Sequence, residues 1–172
     1  MVAIDNSRIS PTSTTTRYYG ARPERSRESD QRVLLETDVD GSETDVRYFV
    51  YGNYIDEVLV MADIDGGAVN TITDGDYYYG HDHLYSPVVL FDDTGAIVER
   101  YEYDAYGTVT IWDDTFSNTR SASSYANPYT FTGRRLDTLD GGGLNIMYYR
   151  NRYYSPEIGR FMTLDPLMVV PD

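Results

Sequence analysis

The 172-residue sequence has no cysteine and no lysine, and only two histidines and one tryptophan. Without cysteine there is no disulfide framework, no thiol nucleophile and no Cys-ligated zinc. The compartment stays open, because an oxidising environment does not oblige a protein to use it. Positive charge is also scarce: 14 arginines face 28 acidic residues, for a formal net charge of −14 and a pI near 4.3. Nucleic acid and anionic membrane would both be repelled, which argues against either as the main partner. No apolar run approaches the length of a membrane span, and Met1 to Ser10 lacks the apolar core of a signal peptide. A cytosolic metabolic enzyme, a zinc protein and a DNA-binding module all fit this composition poorly.

What is plentiful is tyrosine, at 18 residues, and aspartate. The charge is unevenly spread. Residues 1–30 carry five arginines against four acids, the remainder nine against 24. The stretches Ser10-Pro-Thr-Ser-Thr-Thr-Thr-Arg17 and Arg22-Pro-Glu-Arg-Ser-Arg27 show no apolar periodicity. Residues 1–30 are therefore expected to form a polar Ser/Thr/Arg-rich N-terminal arm, flexible unless a neighbouring surface holds it.

From Gln31 onward, short runs rich in Val, Ile, Tyr and Phe alternate with Asp and Gly. Strands are expected at Arg32–Asp38, Asp45–Tyr51, Tyr54–Ala62, Ala68–Thr73, Asp76–Gly80 and Pro87–Phe91. Further strands are expected at Ala96–Tyr103, Thr108–Trp112, Tyr129–Thr132 and Met147–Tyr154. Asp40-Gly41, Asp65-Gly66-Gly67, Asp74-Gly75 and Asp92-Asp-Thr-Gly95 punctuate them, and Asp-Gly favours hairpins because both central turn residues tolerate positive φ. No segment keeps helical spacing over a dozen residues; Ser155-Pro156-Glu157 is expected to start at most one helical turn. The class is all-β, an antiparallel hairpin meander with little helix. Asp40-Gly41 followed by Arg47–Gly52 parallels Asp93-Thr-Gly95 followed by Arg100–Asp104, and such repeats predict a spiralling sheet.

Tyr101-Glu-Tyr103-Asp104-Ala-Tyr-Gly107 resembles the signature of YD repeats. Tyr77 to Pro87, Asp92–Gly95, Glu99–Asp104, Phe131-Thr-Gly133-Arg134, Leu144–Tyr154 and Gly159-Arg-Phe-Met-Thr-Leu-Asp165-Pro166 follow in the order of the RHS repeat-associated core domain. The resemblance covers 77–166, with degenerate YD-like hairpins over 31–76 and a tail at 167–172. It implies part of a β-shell of the kind that encloses cargo in bacterial polymorphic-toxin and surface proteins. An extracellular or cell-surface location follows from the resemblance. So do the expected partners: an upstream YD-repeat shell, or other copies of the chain paired through strand edges. Arginine–carboxylate pairs are expected to fix strand register. A shell of this kind takes many hundreds of residues, so the chain is expected to be a fragment or an orphan core.

In this family an aspartyl autoprotease commonly lies near the C-terminal end, and it needs two carboxylates that share a proton. Asp165 occupies one candidate position, but Ser155 stands where the family commonly has aspartate. Asp165 therefore reads as a turn cap before Pro166, and no catalytic residue is assigned. Glu36, Asp38, Asp40 and Gly41 are spaced like the first half of a calcium loop, yet its twelfth position is Arg47, with Asp45 nearby. Asp63, Asp65 and Gly66 repeat the shorter pattern with Met61 at the first ligand position. Solvated carboxylates in hairpin turns are the simpler reading of both. His81-Asp82-His83 offers metal-compatible groups without a third ligand, and the resemblance makes it a packing motif. No metal or cofactor is assigned, and no Gly-x-Ser-x-Gly elbow exists. The expected function is a structural, non-enzymatic shell element. The alternatives are a stand-alone self-assembling scaffold, a self-cleaving remnant centred on Asp165, and a glycan-binding module built on tyrosine faces.

Overall fold

A computed structural model describes residues 2–5, 15–20, 32–38, 44–64, 74–140 and 143–165. Ten strands form one antiparallel sheet in unbroken chain order. They are β1 (Val2–Asp5), β2 (Thr15–Gly20), β3 (Arg32–Asp38), β4 (Thr44–Tyr51), β5 (Val58–Asp63), β6 (Gly75–His81), β7 (Pro87–Phe91), β8 (Ile97–Tyr103), β9 (Val109–Trp112) and β10 (Thr119–Arg120). A second antiparallel sheet holds β11 (Arg135–Leu139), β12 (Leu144–Tyr149), β13 (Arg152–Ser155) and β14 (Arg160–Phe161), again in chain order. The all-β hairpin meander expected from the sequence is the fold observed.

The strands form on runs rich in β-branched and aromatic residues, whose successive side chains point to opposite faces of the sheet. In β4 and β5 this puts Phe49 and Met61 into the core, and a register shift between Val50 and Tyr51 brings Val58 to the same side; Tyr77, Tyr79, Leu90, Tyr101, Ile111 and Tyr129 join them.

Aspartate closes the hairpins differently from the two-residue Asp-Gly turn expected. The loops after β6, β7, β8 and β9 begin at Asp82, Asp92, Asp104 and Asp113. In the first three, one carboxylate oxygen accepts two backbone N–H groups: from Leu84 and Ser86, from Thr94 and Ala96, and from Tyr106 and Thr108. Asp113 does the same with Ser117 and Asn118, using both oxygens. The residue three positions on takes positive φ: Tyr85 at 63°, Gly95 at 82°, Gly107 at 90° and Phe116 at 61°. Each loop is a type I-like turn followed by a left-handed residue, with aspartate as its cap and not at its tip. Asp40-Gly41 and Asp65-Gly66-Gly67 lie outside the described residues, as does the expected strand Ala68–Thr73.

Several elements depart from expectation. Within the supposed arm, β1 and β2 extend the sheet by pairing onto β3, because backbone hydrogen bonding needs no apolar side-chain pattern. The expected strand at Tyr54 begins only at Val58, after a turn in which Gly52 and Glu57 bond across the loop. Met147–Tyr154 is a hairpin of two strands, bent at Arg150, whose φ is 60°. Tyr129–Thr132 is no strand: Tyr129 makes one bridge to Arg135, and Phe131–Gly133 forms a 3-10 turn with Thr132 at φ 54°. Pro156–Gly159 is the hairpin turn between β13 and β14 and not the start of a helix.

Candidate functional site

Leaving β10, the chain turns back and crosses one face of the large sheet before entering β11. This strap, residues 121–134, is fastened strand by strand. At its start Glu99 of β8, fully buried, accepts hydrogen bonds from the Ser123 hydroxyl (2.6 Å), the Ser124 N–H (2.9 Å) and the Tyr101 hydroxyl (2.6 Å), and an ion pair from Arg120 (2.8 Å). Tyr125 then packs on Tyr77 of β6 with ring centroids 5.2 Å apart. The Asn127 side chain accepts from the Tyr79 hydroxyl at 2.8 Å and donates to the Tyr129 carbonyl at 2.9 Å. Tyr129 meets Phe49 edge-on at 5.1 Å, and its hydroxyl shares a 2.6 Å hydrogen bond with Tyr51. Buried tyrosine suits such a seam because its ring adds apolar contact while its hydroxyl finds a fixed partner. Burial pushes the Tyr129 hydroxyl up to about 12.

Beneath the strap lies a buried charge seam. Glu36 and Arg47 are direct cross-strand partners in β3 and β4, 3.4 Å apart. Arg47 also reaches Asp63 of β5 at 4.0 Å and donates to the Ala126 carbonyl of the strap at 2.7 Å. Arg135, where the strap becomes β11, pairs with the other Glu36 oxygen at 2.5 Å. Burial alone lowers the Arg135 guanidinium, but the Glu36 carboxylate overcomes that and holds it above its ordinary value. A second junction centres on Asp56, which pairs with Arg134 at 2.9 Å and Arg150 at 2.6 Å. Arg134 also lies over the Tyr149 ring, 4.6 Å from its centroid. The left-handed Gly133 sits between these junctions, and a Cβ there would run into the Asp56 carbonyl oxygen. Removing one member of such a buried pair strands the other charge, so the seam fixes how the two sheets meet.

The residues singled out in the sequence fall in separate places. Glu36 and Asp63 are not solvated turn carboxylates: both are buried beside arginine, because β3 and β5 point them under the strap. Asp40, Gly41, Asp65 and Gly66 lie outside the described residues, and Met61 is fully buried in the core. His81 stacks on Tyr79 at 5.9 Å, and burial lowers its imidazole pKa. The Asp82 carboxylate caps its own hairpin loop, and His83 is exposed. Asp165 pairs with Arg152 at 3.4 Å, while Ser155 is buried at the end of β13. Among the described residues, no three His, Asp or Glu side chains converge to hold a metal ion. Glu99, Asp56, Asn127 and Arg135 escaped the sequence reading. The usable signal was strand parity, since Glu99 shares a face with Tyr101, and Arg47 with Phe49.

An open antiparallel meander in chain order, with a return strap across one face, is the fold of an RHS-type β-shell segment. The crystal structure of TcdB2-TccC3 without its hypervariable C-terminal region matches 96% of this chain with a TM-score of 0.57 at 18% identity, within 7% of that chain. In sequence, "tRNA nuclease WapA" of Bacillus subtilis (strain 168) is 30% identical over 145 residues, covering 77% of this chain and 6% of the nuclease. "Toxin subunit YenC1" of Yersinia entomophaga is 30% identical over 101 residues, covering 58% of this chain and 9% of the subunit. No family profile matches the chain. The chain thus spans less than a tenth of the length of these relatives. Together they support an RHS-related, toxin-associated element.

Proposed function

We propose that the chain is a non-enzymatic segment of a toxin-carrier β-shell, the RHS repeat-associated core, which extends or closes a sheet made by neighbouring repeats. The observation that carries this reading is the ten-strand meander running in chain order into a strap that recrosses the same sheet. Its potentially reactive carboxylates serve the architecture. Glu36, Asp56 and Glu99 are committed to guanidinium groups, and Asp82, Asp92, Asp104 and Asp113 to loop amides. An extended sheet ending at β1 offers backbone groups for pairing with a preceding strand, the mode by which a shell is lengthened. In this reading the chain works at the cell surface or outside the cell, as part of a much longer polypeptide.

The test is replacement of the matched stretch of Bacillus subtilis WapA by this chain. A folded chimera that keeps the tRNA-cleaving activity of WapA is expected. A chimera that fails to fold, although this chain folds alone, overturns the shell reading. The chain by itself should leave total tRNA intact and keep its own intact mass over time. Cleavage of either, lost in Asp165→Asn, would replace the structural reading with an enzymatic one.

A further inference from the structure

The face of the large sheet opposite the strap carries a row of apolar side chains. Val50, Val60, Tyr78 and Phe91 are successive register partners across β4, β5, β6 and β7. Their chain neighbours Phe49, Met61, Tyr79 and Leu90 are buried on the strap side, which fixes the row on the other. Tyr48, Val50 and Tyr78 remain 39%, 43% and 42% exposed. A second row runs alongside through Gly80, Val89, Arg100 and Trp112. A Cβ on Gly80 would meet the Val89 methyl and the Phe91 ring, so the side chains lean over a backbone that glycine keeps low. A contiguous apolar surface of this kind marks a contact site.

Charge on the page says what fits it. The hairpin loops at the two ends of these strands carry Asp82 and Asp104 on one side and Asp92, Asp93 and Asp114 on the other. Asp76 and Glu102 stand on the face itself, by strand parity with Tyr78 and Arg100. Among the described residues, Arg47, Arg120, Arg134 and Arg135 are drawn into ion pairs with buried carboxylates. Arg100 is held over the Phe116 ring and bonded to the Asp114 carbonyl. An apolar strip with acidic margins at both ends repels a second copy of this chain, which brings another net charge of −14.

We propose that this face binds an extended polypeptide segment with an apolar stretch flanked at both ends by cationic residues, the apolar side chains seated on the Val50–Phe91 row and the cationic ends reaching the acidic loops. The proposal goes beyond the shell reading, because it uses the open face of the sheet and not its edge. Turn hydrogen bonds hold Asp92 and Asp104 below the usual carboxylate range, so the margins stay charged through mildly acidic pH.

The probes are two fluorescein-labelled peptides with a Val-Ser-Val-Ser-Val centre, one flanked at both ends by Lys and the other by Glu, titrated with the full chain and read by anisotropy. The Lys-flanked probe is expected to bind and to weaken as salt is raised, while the Glu-flanked probe stays free. Val50→Lys and Val50→Glu remove the same apolar contact from an exposed position. Val50→Lys should weaken the Lys-flanked probe by roughly tenfold or more, and Val50→Glu by clearly less. Tyr78→Ser, which changes no charge, should weaken it as well. Equal binding of both probes, or binding indifferent to all three substitutions, overturns the proposal. So does a concentration-dependent dimer in light scattering that Tyr78→Ser abolishes, since the occupant would then be a second copy.

Discussion

The two sheets are built from similar sequence yet stand on different footings. The ten-strand sheet owns the core: Val58, Met61 and Leu90 are fully buried, and the Tyr51 and Tyr79 hydroxyls bond to the strap. The four-strand sheet buries Met147 and little else of apolar character, and leaves Ile158, Phe161, Met162 and Leu164 at 58%, 40%, 52% and 83% exposed. Its aromatic ladder of Tyr149, Tyr154 and Phe161 packs edge-to-face within itself. What joins it to the large sheet is polar: Arg135 on Glu36, Arg134 and Arg150 on Asp56, the Thr132 N–H on the Ser86 hydroxyl at 3.0 Å, and the Tyr154 hydroxyl on the Tyr106 carbonyl at 2.8 Å. A meander lengthens one strand at a time, but a second sheet needs directional anchors to keep its place. Buried ion pairs supply direction where apolar contact supplies only adhesion.

The largest expected effect follows from removing the anchor shared by both sheets. Glu36→Ala leaves Arg47 and Arg135 without their common carboxylate and should cost about 3–5 kcal/mol, read as a lowered urea midpoint. Gly133→Ala combines a left-handed backbone with a collision against the Asp56 carbonyl, and should cost about 3 kcal/mol by the same measurement. Asp56→Asn separates the two regions more finely. Hydrogen exchange should quicken across β11–β14 while β4–β8 keep their protection, and uniform quickening would erase the distinction between the sheets.

The smallest effect concerns the hairpin caps, which belong to the large sheet alone. The Thr94 hydroxyl and Ala96 N–H lower the Asp92 carboxyl, the Thr108 and Tyr106 N–H groups lower Asp104, and the Ser117 N–H and the Asn118 side chain lower Asp113 most strongly. Folded values below the unfolded value of 3.8 mean that this stabilisation is fully present above that pH and lost as pH falls from there through the folded values. Asp113→Asn should lower the midpoint at neutral pH and change it little in strong acid, which flattens the acid limb of the stability profile.

Two strands were legible to the residue, Arg32–Asp38 and Pro87–Phe91, as short β-prone runs bounded by turn residues. The YD-type motifs marked the hairpin loops after β6, β7 and β8, although the cap mechanism was hidden, since Asp92 acts through its carboxylate and not through its own backbone angles. β1, only four residues long, was too short to show a pattern, and β2 was masked by the Ser/Thr/Arg-rich stretch it lies in. The strap was misread for the opposite reason. Tyr129–Thr132 has strand composition, and only the left-handed Thr132 and Gly133 turn it across the sheet. The charge seam was half legible, because arginine–carboxylate pairing across strands was expected in general while Glu36 and Asp63 were assigned to solvent. Their burial depends on the strap, which returns from more than 60 residues away.

The measurement that bears most directly on a strap locked by buried charge is a double-mutant cycle in urea unfolding with Glu36→Ala, Arg135→Ala and the pair. A coupling of about 2 kcal/mol or more between the two sites is predicted, the double variant losing much less than the sum of the singles. Additive losses, with no coupling between Glu36 and Arg135, would contradict a strap and second sheet held in place by that pair.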